Sequence, residues 1–173
     1  MTALFYCSAN EAIAPKYNEA ARQAVRAAAA RGYTIASGGT VKGTMRVVSE
    51  EALACGARTR GIVPRFMEPL VYPGMTETVW TDTMAERKSL MLEGADIAIA
   101  LPGGIGTMDE LFGTMVLIKL GKYSGKLAAL NIDGFYDPLA ALLDHFVATC
   151  MLTAEDRAIL AMPRTVEELA ALL

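Results

Sequence analysis

The segment Ile97-Ala98-Ile99-Ala100-Leu101 constrains this chain most. It is five apolar residues without polar alternation, closed at once by Pro102-Gly103-Gly104-Ile105-Gly106-Thr107. A strand with one face in water alternates apolar and polar residues, whereas a strand buried on both faces is apolar throughout. A helical pattern from Glu110 to Leu120 follows the turn, and the same succession recurs along the chain. Ala3 to Cys7, Tyr33 to Ser37, Arg60 to Val63, Glu77 to Thr81 and Lys126 to Asn131 read as further strands. Tyr17 to Arg31, Thr44 to Cys55, Asp82 to Glu93 and Asp137 to Cys150 read as helices, with short terminal helices at Thr153 to Ala161 and Val166 to Leu172. Gly32 is expected to stop the first helix and Asp82 to cap the third. Alternation of this kind predicts a single α/β domain over residues 1–173, built on a doubly wound parallel sheet flanked by helices. Pro64 to Gly74, dense in Pro and Met, is the one long irregular stretch and is expected near the site.

Composition narrows the function. The 173 residues are 53% hydrophobic and 20% charged, which excludes disorder. Mean hydropathy is +0.32, yet the longest uncharged run is the 12 residues Ile97 to Met108, broken by Pro102 and three glycines. A spanning helix needs about 20 apolar residues, so no membrane partner is expected. Sixteen basic against 19 acidic residues, a net charge of −3, argue against a nucleic-acid partner, whose footprint is usually basic. Cys7, Cys55 and Cys150 form no CxxC pair, and Met1 to Phe5 lacks a basic leader. A reducing cytoplasm is the expectation.

Ligands of open α/β sheets sit beyond the carboxyl ends of strands, where two turns here are rich in glycine: Gly38-Gly39-Thr40-Val41-Lys42-Gly43-Thr44, and Pro102 to Thr107. Glycine permits close backbone approach, and a following helix N-terminus offers N–H groups to an anion. Neither turn is a familiar phosphate loop. Gly38 to Gly43 has P-loop spacing but Thr44 stands where Lys is required, and Gly104-Ile105-Gly106 is followed by Asp109 where a Rossmann fingerprint needs its third glycine.

Glu110 admits two readings. Thr107-Met108-Asp109-Glu110 is a capping-box pattern in which Glu110 only reaches back to a backbone N–H; alternatively its carboxylate stands at the mouth of a glycine-lined anion site. On a helix from Asp82, Met84, Arg87, Lys88, Met91 and Ala95 share a face. A guanidinium between two methionines requires an anionic partner, a carboxylate or a ligand phosphate, unless Arg87 and Lys88 snorkel to solvent. His145 is the only histidine and reads as structural, so there is no Ser-His-Asp or Cys-His arrangement and no His-based zinc site. No metal or cofactor is expected.

Met84-Ala85-Glu86-Arg87-Lys88 together with Pro102-Gly103-Gly104-Ile105-Gly106-Thr107-Met108-Asp109-Glu110 resembles the LONELY GUY (LOG) family, whose hallmarks are an Arg-Lys pair followed by Pro-Gly-Gly-x-Gly-Thr-x-x-Glu. The resemblance runs from the first strand to Asn131-Ile132-Asp133-Gly134-Phe135-Tyr136. It implies a Rossmann-like fold, a homodimer with sites near the shared interface, and hydrolysis of the N-glycosidic bond of a nucleoside 5′-monophosphate, such as AMP or a cytokinin riboside monophosphate. It implies Arg87 and Glu110 as the catalytic pair. Lys88 and the turn Gly103, Gly104, Ile105, Gly106, Thr107, Met108 and Asp109, with Gly38, Gly39 and Met84, would then contact the nucleotide. The older lysine-decarboxylase label has no support in the residues, since no lysine sits in a pyridoxal-phosphate context. The sequence departs from the family's pattern at Cys7-Ser8-Ala9-Asn10, Thr40, Arg46, Ala85 and Asp109; these departures leave Arg87 and Glu110 intact and bear on which base is read. The alternative is a non-catalytic carrier of a phosphorylated ligand on the same fold.

Overall fold

A computed structural model describes all of residues 1–173. Its strands are β1 (Thr2–Tyr6), β2 (Thr34–Ser37), β3 (Thr59–Pro64), β4 (Glu77–Thr81), β5 (Ile97–Ala100), β6 (Lys126–Ala129) and β7 (Leu160–Ala161). They form one sheet in the order β4-β3-β2-β1-β5-β6-β7, with every pairing parallel. The helices are α1 (Pro15–Ala29), α2 (Gly43–Ala54), α3 (Met84–Leu92), α4 (Ile105–Lys119), α5 (Asp137–Ala148), α6 (Ala154–Ala158) and α7 (Val166–Ala170).

The apolar strands acquire two buried faces because successive residues point to opposite sides. Ala3, Phe5, Ile35, Ile97 and Ile99 pack with α1, α2 and α7, where Ala21, Ala24, Val48 and Leu169 meet them. Leu4, Tyr6, Ala36, Ala98 and Ala100 pack with α3, α4 and α5, through Met91, Leu111 and Leu143. The sheet is doubly wound, as the unalternated runs require. No helix is long and apolar enough to cross a membrane.

The chain begins at the middle strand, works outward to β4, and returns through α3 to β5 on the other side of β1. The switch point therefore lies between β1 and β5. The loops after β1, β2 and β5 open at this edge, and a ligand crevice is expected there.

Beyond shifts of one or two residues at element ends, four features differ from expectation. α4 starts at Ile105, not Glu110: Met108 N–H already donates to the Gly104 carbonyl at 3.0 Å. Thr83 rather than Asp82 caps α3, its hydroxyl accepting from Glu86 N–H while the Glu86 carboxylate accepts from Asp82 N–H. The segment Thr153 to Ala161 is not wholly helix, because Leu160 leaves α6 to pair with Leu127 and complete the sheet. Pro64 to Gly74 carries a 3₁₀ helix, Arg65–Leu70. Its flank is tied to the first glycine turn by Val41 N–H to Leu70 O and Tyr72 N–H to Gly39 O. Gly32 does end α1, at φ +77°, with Tyr33 N–H returning to the Ala28 carbonyl.

Candidate active site

A cleft of about 340 Å3 opens at the switch point, within the ~300–1,000 Å3 typical of small-ligand pockets. Arg87 and Glu110 stand at its base. Arg87 sits on the first turn of α3, 8% exposed. Its Nε donates to the Ile62 carbonyl at 3.0 Å and its Nη1 to Glu110 Oε1 at 3.2 Å. The arginine therefore does not snorkel, and its anionic partner is the Glu110 carboxylate. Lys88 does reach the surface, where it pairs with Asp109 at 2.7 Å on the cleft rim.

The capping-box reading of Glu110 fails for a geometric reason. Because α4 begins at Ile105, Thr107 is inside the first turn and cannot be the N-cap. The Glu110 side chain instead turns inward to Arg87. Burial pushes its carboxyl up to about 7, the opposing pull of Arg87 notwithstanding, and Asp109 adds to the rise.

The helix that supplies Glu110 is left open at its start. Gly104, extended, is the N-cap, and no side chain caps α4. The first-turn N–H groups of a helix have no internal partner, and Ile105, Gly106 and Thr107 of this first turn line the cleft; free N–H groups of this kind are suited to anions. Thr107 Oγ1 is buried without a hydrogen-bond partner. A Cβ added at Gly104 or Gly106 would meet nothing within 4 Å; these two glycines leave space that no protein atom uses.

Of the residues read from sequence, Arg87, Lys88, Glu110, Gly104, Ile105, Gly106, Thr107, Asp109, Gly38 and Met84 line this one cleft. Gly39, Gly103 and Met108 do not. Gly39, at φ +66°, lies against Gly61, whose Cα would be 2.8 Å from an added Cβ; Gly103 is pressed against the Thr107 side chain. Met108 packs under α4 against the core. The cleft is also lined by Ser8 and Ala9 after β1, Thr40 and Met45 after β2, and Met67 on the 3₁₀ segment, which the sequence reading did not name individually as site residues. The first four follow β1, at the switch point, and β2 beside it, so strand order would have pointed to them. Cys7 lines the cleft as well, and burial raises its thiol far above the usual range. His145 is exposed on α5.

The family model described as "Possible lysine decarboxylase" matches residues 45–173. A cytokinin riboside 5′-monophosphate phosphoribohydrolase of Mycobacterium tuberculosis (strain ATCC 25618 / H37Rv) is 35% identical over 150 residues, 86% of this chain and 80% of that protein. A probable enzyme of the same name from Oryza sativa subsp. japonica is 33% identical over 166 residues, 95% of this chain and 74% of that protein. Among solved structures, the molybdenum cofactor binding protein of Rippkaea orientalis superposes with a TM-score of 0.72 at 20% identity, covering 99% of this chain and 92% of its own. The molybdenum cofactor carrier protein of Chlamydomonas reinhardtii superposes at 0.74 with 15% identity, covering 98% and 93%. At such identities the two structures share the fold.

Proposed function

Because the chain belongs to the LOG family, a family of hydrolases, we propose that it cleaves the N-glycosidic bond of a nucleoside 5′-monophosphate, AMP or a cytokinin riboside monophosphate, to free base and ribose 5-phosphate. One observation carries this reading: a buried Arg87–Glu110 pair adjoins an uncapped helix N-terminus inside a single cleft.

The open start of α4 would hold the phosphate through the N–H groups of Ile105, Gly106 and Thr107, with the Thr107 hydroxyl and Lys88 nearby. Glu110, one turn further into α4, would stand beside the ribose. Glycosidic cleavage passes through an oxocarbenium-like sugar, which an adjacent carboxylate stabilises. The water oxygen bonds to C1′, the C1′–N electron pair leaves with the base, and a water proton passes by way of Glu110 to the base nitrogen. A carboxyl at about 7 is matched to accepting and returning that proton near neutral pH. Arg87, anchored on the Ile62 carbonyl, would orient the carboxylate and favour its ionised form. No step in this scheme calls on a metal or cofactor.

A homodimer belongs to the same proposal. Val116 on α4 and Leu120 at its C-cap are 53% and 62% exposed, the apolar character that homodimer seams have. Light scattering at micromolar concentration should give twice the 18.4 kDa chain mass.

Incubation with AMP and with isopentenyladenosine monophosphate, followed by chromatography for the free base, tests the reaction. Release is expected, and Glu110→Ala should lower it by about 10²–10⁴-fold, the usual worth of a general acid–base group. Tight nucleotide binding with no release would instead favour the carrier reading.

A further inference from the structure

Glu110 stands between two spaces. With Lys88 and Met91 it lines the cleft, and the same three residues line a smaller cavity of about 80 Å3 on the other side, between α3 and α4. Ser89, Leu92 and Leu117 carry that cavity outward into a surface groove of about 260 Å3 that ends at Lys122 and Tyr123. Gly113 lines the rear space and is exposed, and a Cβ built there meets nothing within 4 Å. At about 30 Å3 per water, the rear space has room for two or three waters.

The rear cavity also has the polar partners that water needs. Thr114 Oγ1 donates its one proton to the Glu110 carbonyl at 2.8 Å. The 2.7 Å contact with Tyr6 must then have the phenol as donor, which leaves the Tyr6 oxygen free to accept. Ser89, whose hydroxyl donates to the Ala85 carbonyl at 3.3 Å, lines the outer end, and Glu110 lines the inner end. Lys88 lies beside them, already paired with Asp109.

We propose that the space between α3 and α4 is a water path that supplies the rear of Glu110 while nucleotide fills the front cleft. The inference rests on the hydrolytic reading above. Each turnover consumes one water, whose oxygen becomes the C1′ hydroxyl. A nucleotide seated from the α4 N-terminus to Glu110 covers the front approach, and the rear space meets the same residue from the other side.

Two plugs test the path. Gly113→Leu fills the cavity from α4, and Ser89→Phe closes its outer end from α3. Both should lower kcat for base release at least tenfold with KM, nucleotide Kd and the thermal unfolding midpoint unchanged; Gly113→Ala, adding one carbon, should lower it less. A crystal structure of the unsubstituted protein with AMP should hold an ordered water within hydrogen-bond distance of Glu110 on the α3–α4 side. Wild-type kcat in both plugged variants overturns the path. So does a loss of kcat matched by a loss of nucleotide affinity, and so does a dry cavity in the crystal. Release of base from no nucleotide by the unsubstituted protein brings down the hydrolytic reading itself, a result distinct from wild-type kcat in the plugged variants, which brings down the path alone.

Discussion

The two glycine-rich turns look alike as sequence and differ in what their glycines make room for. In Gly38 to Gly43, each glycine yields space to the protein itself. A Cβ at Gly38 would strike the Arg87 guanidinium and come within 2.6 Å of Met45 Sδ; one at Gly39 would sit 2.8 Å from Gly61 Cα; one at Gly43 would press on the Ser8 and Asn10 carbonyls. In Pro102 to Thr107, Gly104 and Gly106 yield space to nothing. The first turn is a cradle that seats Arg87 and joins the β1 and β2 loops. The second leaves the cleft open beside free backbone N–H groups. Glycine content alone therefore does not mark a ligand loop; what fills the missing side chain's place does.

Substitutions should separate the turns. The largest stability effect belongs to the first. Gly39→Val adds overpacking of about 1–3 kcal/mol to a positive φ costing about 1–2 kcal/mol, so denaturant unfolding should register a loss of about 2–5 kcal/mol. A smaller loss would mean that the Gly39–Gly61 contact gives way more easily than two apposed backbones should.

Next comes the arginine that the first turn seats. The activity limb governed by Glu110 should rise through pH about 7. Arg87→Gln removes the opposite charge, and the limb in kcat/KM should move up by about one to three pH units. An unmoved limb would assign the titration to another group. The same carboxyl affects stability. Its pKa is higher in the folded chain than its ordinary 4.5, so its contribution is full below about 4.5 and is lost as pH rises through about 7. Glu110→Gln should flatten the unfolding midpoint across that window.

The second turn should show the reverse pattern. Gly106→Ala has open space and a helical position, so it should leave stability equal or raise it by about 0.4–1 kcal/mol. It should still weaken AMP binding by about tenfold in calorimetric titration, because the methyl enters the phosphate's approach. Unchanged affinity would place the phosphate elsewhere. The smallest effect belongs to Thr107→Val. Its hydroxyl has no partner, so folding should change by less than about 1 kcal/mol while phosphate affinity falls.

Much of this architecture was legible in the residues. The unalternated run Ile97 to Leu101 requires cover on both faces, and the structure provides it. The Arg87–Lys88 and Gly-rich motifs pointed to one site, and ten of their residues line one cleft. The start of α4 was misplaced because Gly104 to Met108 carries turn residues whose helical state is set by docking onto the sheet rather than by propensity. Leu160–Ala161 went unseen as a strand because two residues show no period, and only the edge of β6 makes them one. The Pro- and Met-rich stretch from Pro64 to Gly74 was expected near the site, but only the clasp of its flank to Gly39 and Val41 decides that Met67 enters the cleft.

The sequence by itself determined the double-wound sheet, since continuous apolar strands and amphipathic crossovers have few other ways to bury their surface. It also supplied the chemical types at the site, which follow from the motifs. Only the tertiary structure decided their states. Whether Glu110 caps a helix or faces an arginine, and whether a glycine makes room for the protein or for a ligand, depends on what lies across the cleft. Those neighbours are distant in sequence: Arg87 meets Gly38 after β2, Ile62 within β3 and Glu110 on α4. Burial at that meeting point, not residue type, is what lifts the Glu110 carboxyl toward neutrality.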